Sequence, residues 1–417
     1  MTPSGSPTRL WIRRDVEIDG RTVFRLRFNR RDGGQVPPDA KDGVGDLGTV
    51  EVFADALAYA FPRLTDAATF GWRTWGDSQP CEVAIRSLGP SRNGLAVIDG
   101  RTAPYMVLSP LGFDTDPDAM RRRRQATVVH ELIHLLQFES SLFQCWHQTR
   151  IGTDPNWWFH EAVALATECL VYPDRPPSYS RLWQWATQPE LSLESDHDGN
   201  LAAPFILYLM KRLDSPLIAR IYDSTSDDVD ALRAVGLIDR ELAQLGLTLA
   251  TDAINQEALF IDYCVDAALL GIDNTVLDSR ILDIVGPRAT SDVLRSYPIR
   301  SGASMPIDHL GCRYFDLLPA ATDAAVSLIV EVTPRPENSG SFDRNALRGE
   351  LVVISKDRST VSRKTLAAQP EGHLSASVAG FTPESIERVI LVLANCAFGS
   401  GWAFKDGLQF TVSARVE

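Results

Sequence analysis

Apolar positions recur along this chain with two different periods, mixed before about residue 300 and β-like alone beyond it. Residues 8–30 alternate apolar and polar around Asp19-Gly20, which predicts a β-hairpin on a favoured turn dipeptide. Residues 31–48, rich in Gly, Pro and Asp, predict a mobile loop. Val50, Phe53, Leu57 and Phe61 then fall at helical spacing, and Pro62 is the expected stop. Three short β-like runs follow at 81–88, 95–98 and 105–108. Two segments, 126–138 and 156–168, are apolar on nearly every side and predict buried helices. Residues 171–200 read as a connector, and 200–213 as a further buried helix. Helical patterns continue at 229–235, 239–245 and 255–270. Residues 296–306 make the best linker. Beyond it, runs at 312–318, 325–332, 350–355, 374–378, 389–394 and 408–414 are short, β-like and separated by turn residues. The expectation is an α+β domain over 1–300 and an all-β sandwich domain over 306–417.

The first buried helix contains His130-Glu131-Leu132-Ile133-His134. Two His four apart leave the same face of a helix one turn apart, where both rings can bind one tetrahedral metal ion, typically zinc. Glu131, beside the first ligand, is placed to take a proton from a water that the metal activates. With seven His in the chain, chance yields this pattern about 0.01 times. Its apolar surroundings sharpen the point, since buried polar groups must be satisfied somehow.

A catalytic zinc site needs a third protein ligand. One metalloprotease class places a third His six residues after the second with a Gly between; here Ser140 and Gln137 stand at those positions. The second buried helix offers more. Asp154 is suited to cap it and Pro155 to its first turn. It is apolar except for His160, Glu161 and Glu168. A carboxylate in such a helix needs a partner, and a metal supplies one. Glu161 is assigned as the third ligand, with Glu168, seven residues on, as an acceptor for a ligand His. His160 is the rival ligand, about 100° round the helix from Glu161, so only one of the two faces the metal.

These residues carry a resemblance. His130-Glu131-x-x-His134, followed by Trp157-x-x-x-Glu161-Ala-x-Ala-x-x-x-Glu168, resembles the gluzincin clan of zinc metallopeptidases. With Gln137 three after the second His, it is similar to a bacterial group of metalloproteases with an appended β domain. The motifs cover about residues 80–215. The resemblance implies a zincin-like fold, His130, His134 and Glu161 on Zn2+, and Glu131 as general base. It also implies that the edge strand of a small sheet lines the cleft. There are departures: 26 residues separate His134 from Glu161, and Leu165 stands where thermolysin-like enzymes place an Asp. No Gly-x-Met-x-Asn exopeptidase motif occurs. The oxyanion-holding Tyr expected near Asn200 or Leu201 is missing, which leaves His197 and Tyr208 as candidates.

Composition bounds the partners. The chain has 417 residues, 44% hydrophobic and 23% charged, with a net charge of −13. That balance disfavours nucleic acid and anionic membranes and mildly favours neutral or basic substrates, while the resemblance implies a peptide or protein substrate. No run is long enough for a membrane span, and no signal-peptide core is legible at the N-terminus, so a cytoplasmic location is expected. Six scattered Cys without Cys-x-x-Cys read as free thiols. Arg121–Arg124 reads as a solvated run whose unfavourable place near a helix N-terminus is offset by Asp114, Asp116 and Asp118. His309 and His373 read as surface or turn residues. The leading functional expectation is a zinc-dependent peptidase; the alternative is a zincin-fold binding or structural protein without catalysis.

Overall fold

The computed structural model describes residues 11–29, 47–75, 79–86, 88, 92–98, 104–110, 116–140, 143, 156–173, 182–195, 198–223, 248–249, 252–253, 256–272, 275–277, 292–300, 306–319, 327–335, 347–369, 373–396 and 407–417. Seven α-helices occur among them, with three five-stranded sheets and one two-stranded hairpin, so the chain is α+β. The predicted loop at 31–48 lies outside the described residues except at its C-terminal end, where the first helix begins. The predicted helices at 229–235 and 239–245 lie outside them entirely.

Two compact units interleave along the chain. One comprises Met1–Asp154, Val163–Tyr179 and Leu213–Val229; the other comprises Pro155–Ala162, Ser180–Arg212 and Asp230–Glu417.

In the first unit, β1 (Trp11–Ile18) and β2 (Arg21–Asn29) form the hairpin that Asp19-Gly20 predicts, with both turn residues at positive φ. The sheet continues with β3 (Cys81–Ile85), β4 (Gly94–Val97) and β5 (Tyr105–Leu108) in the order β1-β2-β3-β5-β4. β2, β3 and β5 run parallel, while β4 is antiparallel to β5 and forms an edge. α1 (Leu47–Thr65) packs against α2 (Pro117–Phe138). α1 does not stop at Pro62 as the sequence suggested. Leu64 is fully buried and anchors the last turn, and the Arg63 guanidinium sits 3.6 Å over the Tyr59 ring. These contacts offset the hydrogen bond that Pro62 cannot donate.

α2 starts at Asp116, whose carboxylate accepts from the Asp118 and Ala119 backbone N–H groups at 3.1 and 3.3 Å. Such a cap is worth about 0.5–2 kcal/mol. Asp116 also lies 3.8 Å from Arg122, so one residue caps the helix and offsets the arginine run. From Ala126 onward α2 is mostly buried, as its apolar sequence requires.

α3 (Trp157–Val171) is one unbroken helix whose first residues belong to the second unit and whose remainder belongs to the first. Asn156 opens it, its carbonyl accepting from Phe159 at 2.8 Å; Asp154 and Pro155 lie outside the described residues. The predicted connector holds a short helix, α4 (Trp183–Thr187). α5 (Ala203–Arg212), α6 (Pro216–Asp223) and α7 (Gln256–Leu269) follow, with the hairpin of β6 (Thr248–Leu249) and β7 (Asp252–Ala253) before α7.

The rest of the second unit is β. One sheet has the order β13-β12-β16-β10-β8, formed by Val361–Thr365, Leu347–Ser355, Ile386–Asn395, Cys312–Leu317 and Asp292–Leu294. The other has the order β14-β15-β11-β17-β9, formed by Ala367–Ala368, Leu374–Val378, Leu328–Pro334, Phe410–Val416 and Ile299–Arg300. Phe315, Leu351 and Leu391 of the first sheet share one apolar core with Val330, Val332 and Phe410 of the second. The predicted linker at 296–306 is partly structured. Ile299–Arg300 pairs with β17, and the Tyr297 ring meets Phe381 edge-on at 5.7 Å. Backbone pairing and an aromatic contact hold a stretch that Ser, Gly and Pro mark as a break.

His309 departs from its expected surface position. It is buried, and its Nε2 lies 3.2 Å from the Ser192 hydroxyl and 3.3 Å from the Glu194 carboxylate. The backbone around it pairs with the same segment, Asp308 N–H donating to Glu190 and Cys312 N–H to Pro189. All five described cysteines are buried; Cys145 lies outside the described residues. Among the described residues no helix is long and apolar enough to cross a membrane.

Phe315 is fully buried and meets Phe410 edge-on at 6.2 Å. Phe315→Ala is expected to cost about 3–5 kcal/mol, measured as a fall in the urea midpoint of the β unit.

Candidate metal centre

The helical period of α2 brings His130 and His134 onto one face, with Nε2 atoms 3.1 Å apart and rings nearly perpendicular. Each ring is held from behind. His130 Nδ1 lies 2.7 Å from the Glu168 carboxylate, and His134 Nδ1 lies 2.8 Å from Gln137 Oε1. A carboxylate or amide oxygen accepts, so each Nδ1 donates. That tautomer turns the lone pair of each Nε2 toward the other. Two lone pairs aimed at one point repel, and a cation between them reverses the sign. A tetrahedral ion with Zn–N bonds of about 2.0–2.1 Å separates two ligand nitrogens by about 3.3 Å, close to the spacing seen.

Glu161 completes the set. One ligand atom from each of His130, His134 and Glu161 lies within 4.8 Å of the others, a group able to hold a metal ion. Two imidazoles and a carboxylate suit zinc or another first-row divalent ion. His160, the rival, is not in this group; it is fully buried, 5.9 Å from the Trp157 ring. Glu168 sits two turns after Glu161 on the same helix. One element therefore carries both the candidate third ligand and the carboxylate that orients His130.

Burial sharpens these contacts. His134 and Glu131 are 6% and 7% exposed, and the His130 side chain keeps 12%. His130 and Glu161 are half-buried. Beyond α2, Glu139 is its C-cap, and burial raises that carboxyl above its ordinary value. Cys81 is an inert thiol, pushed up to about 12 by burial.

Glu131 is held by the edge strand. Its Oε2 accepts from the Ala96 backbone N–H of β4 at 2.7 Å. Gly94 of the same strand lies so close that a Cβ there would meet the Glu131 Cγ at 2.5 Å.

A second glycine braces α3. Gly199 has φ +72°, and a Cβ on it would lie 2.4 Å from the Ala162 backbone nitrogen, the residue after Glu161. Its carbonyl accepts from Ala203 at 2.9 Å as α5 begins.

The candidates for holding an oxyanion fare less well. His197 lies outside the described residues. Tyr208 is buried against the Tyr263 ring at 5.8 Å, and burial together with Asp262 and Asp266 drives its phenol well above the ordinary value, the state of a core tyrosine.

Sequence reasoning missed Gln137 as the support of His134, although its position three residues on, on the same helical face, was a usable signal. It also missed Gly94 and Ala96, for which no local signal exists.

Glu168→Ala is expected to weaken metal binding about 10–100-fold, measured with Zn2+ as the probe ion in competition with a chromophoric chelator. Gly199→Ala is expected to lower both the melting temperature and the retained metal, read by calorimetry and elemental analysis on one preparation. No family model matches this chain and no curated protein matches it in sequence.

Proposed function

We propose that the chain is a zinc-dependent peptidase in which His130, His134 and Glu161 hold the ion and Glu131 is the general base. The observation that carries this reading is the convergence of the two Nε2 atoms, each with its Nδ1 committed to a rear partner, on a point that Glu161 also reaches. A non-catalytic metal site has no evident need of a buried Glu131 beside its ligand.

Zinc held there would act as a Lewis acid on the scissile carbonyl and lower the pKa of the attacking water to about 7. The residues of the chain do the rest. The carboxylate of Glu131 takes the proton of the attacking water and passes it to the leaving amine, a role worth about 10²–10⁴ in rate. Glu168 and Gln137 hold the two imidazoles in the tautomer that binds metal.

The layout supports a zincin-like peptidase unit of the gluzincin kind. A small sheet with an antiparallel edge strand packs on the helix that carries both His. We read the two five-stranded sheets that share one core as the β-sandwich expected beyond it.

The test is zinc per chain on protein purified without added metal, for wild type, Glu161→Ala and Glu131→Gln, with each assayed on a broad peptide library. About one zinc in wild type and Glu131→Gln, much less in Glu161→Ala, and turnover in wild type alone are expected. Zinc-loaded wild type that cleaves nothing supports the binding-protein alternative. Full zinc in Glu161→Ala removes Glu161 as a ligand.

A further inference from the structure

The edge strand β4 and the residue after the first ligand His are locked together by two features that the metal set does not require. The first is the hydrogen bond from Ala96 N–H to Glu131 Oε2 at 2.7 Å. The second is the approach of Gly94: a Cβ there would lie 2.5 Å from Glu131 Cγ, 2.7 Å from Glu131 Oε1 and 2.8 Å from Thr127 Cγ2. A side chain at 94 would occupy the space of the Glu131 and Thr127 side chains and displace them.

The strand register explains why the donor is there. β4 is an edge strand, antiparallel to β5, with Ala96 opposite Met106 and Gly94 opposite Leu108. In an antiparallel ladder alternate residues turn their backbone groups away from the partner. Ala96 donates to Glu131, so its N–H belongs to the side that the ladder does not use. Glu131 is 7% exposed, and a buried carboxylate needs a hydrogen-bond donor. The strand supplies one from the backbone, which cannot change rotamer.

We propose that Gly94 and the Ala96 N–H are positioning elements for Glu131. The N–H fixes Oε2, and the missing side chain at 94 lets the strand come close enough for that bond while leaving room for Oε1. The general base is thereby aimed by a strand rather than by a neighbouring side chain. This inference rests on the peptidase reading for its catalytic consequence, but the contact itself stands apart from catalysis.

The experiment has two arms. The first measures amide hydrogen exchange at Ala96, resolved to the single residue, in wild type and in Glu131→Ala. An edge amide outside the ladder exchanges fast unless another group holds it. Ala96 is expected to exchange at least ten times more slowly in wild type than in the variant, with the amides of Leu95 and Val97 unchanged. Equal rates at Ala96 overturn the proposal, whether or not the protein cleaves peptides. The second arm uses Gly94→Ala and Ala96→Pro; the latter removes the donor from an edge position that proline tolerates. Both are expected to keep the zinc of wild type and its KM within about twofold while kcat falls at least tenfold. A rise in KM with kcat unchanged, or zinc loss matching the activity loss, overturns the positioning role. If wild type cleaves nothing, the peptidase reading fails and the exchange arm still decides the contact.

Discussion

Two imidazole nitrogens held 3.1 Å apart on one helix are the constraint around which the rest of this structure is arranged. Left to themselves, the lone pairs repel, and an exposed helix relieves them by turning each ring toward water. Here the surrounding turns of α2 are buried and the Nδ1 atoms are already engaged. The rings cannot rotate without breaking a buried hydrogen bond, which costs more than such a bond contributes when made. A divalent cation at their meeting point would resolve the repulsion, and Glu161 lies where it could add a third ligand.

The supporting contacts divide the work by distance along the chain. Gln137 is local, three residues from His134 on the same helix, and forms with that helix. Glu168 is remote, 38 residues from His130, and needs α3 in place. Glu161 and Glu168 lie two turns apart on that helix, so setting α3 sets both at once. Two glycines make the close approaches possible, Gly94 against Glu131 and Gly199 against the α3 backbone. At each, a methyl group would occupy space already filled.

The β unit rests on a different economy. Its core is built from apolar positions that two sheets turn toward each other. The buried polar contacts of His309 with Ser192 and Glu194 instead join the start of the β region to the segment before α5. This is why the compact units follow contacts rather than a single break in the sequence.

Much of this was legible without coordinates. Period and turn chemistry are local, so the hairpin at Asp19-Gly20, the apolar helices and most strands could be read directly. The spacing of His130 and His134 fixed a shared face because helix geometry allows nothing else. Glu161 and Glu168 were marked as carboxylates in an apolar helix, which need partners. The passage of α1 beyond Pro62 and the pairing of Ile299–Arg300 with β17 depend on packing partners distant in sequence, and local propensity pointed the other way. The burial of His309 and the grip of β4 on Glu131 are likewise contacts between residues over thirty positions apart. Sequence by itself determined which side chains had to be satisfied. Only the tertiary structure decided which atoms satisfy them, because strand order and helix placement follow from the packing of the whole core.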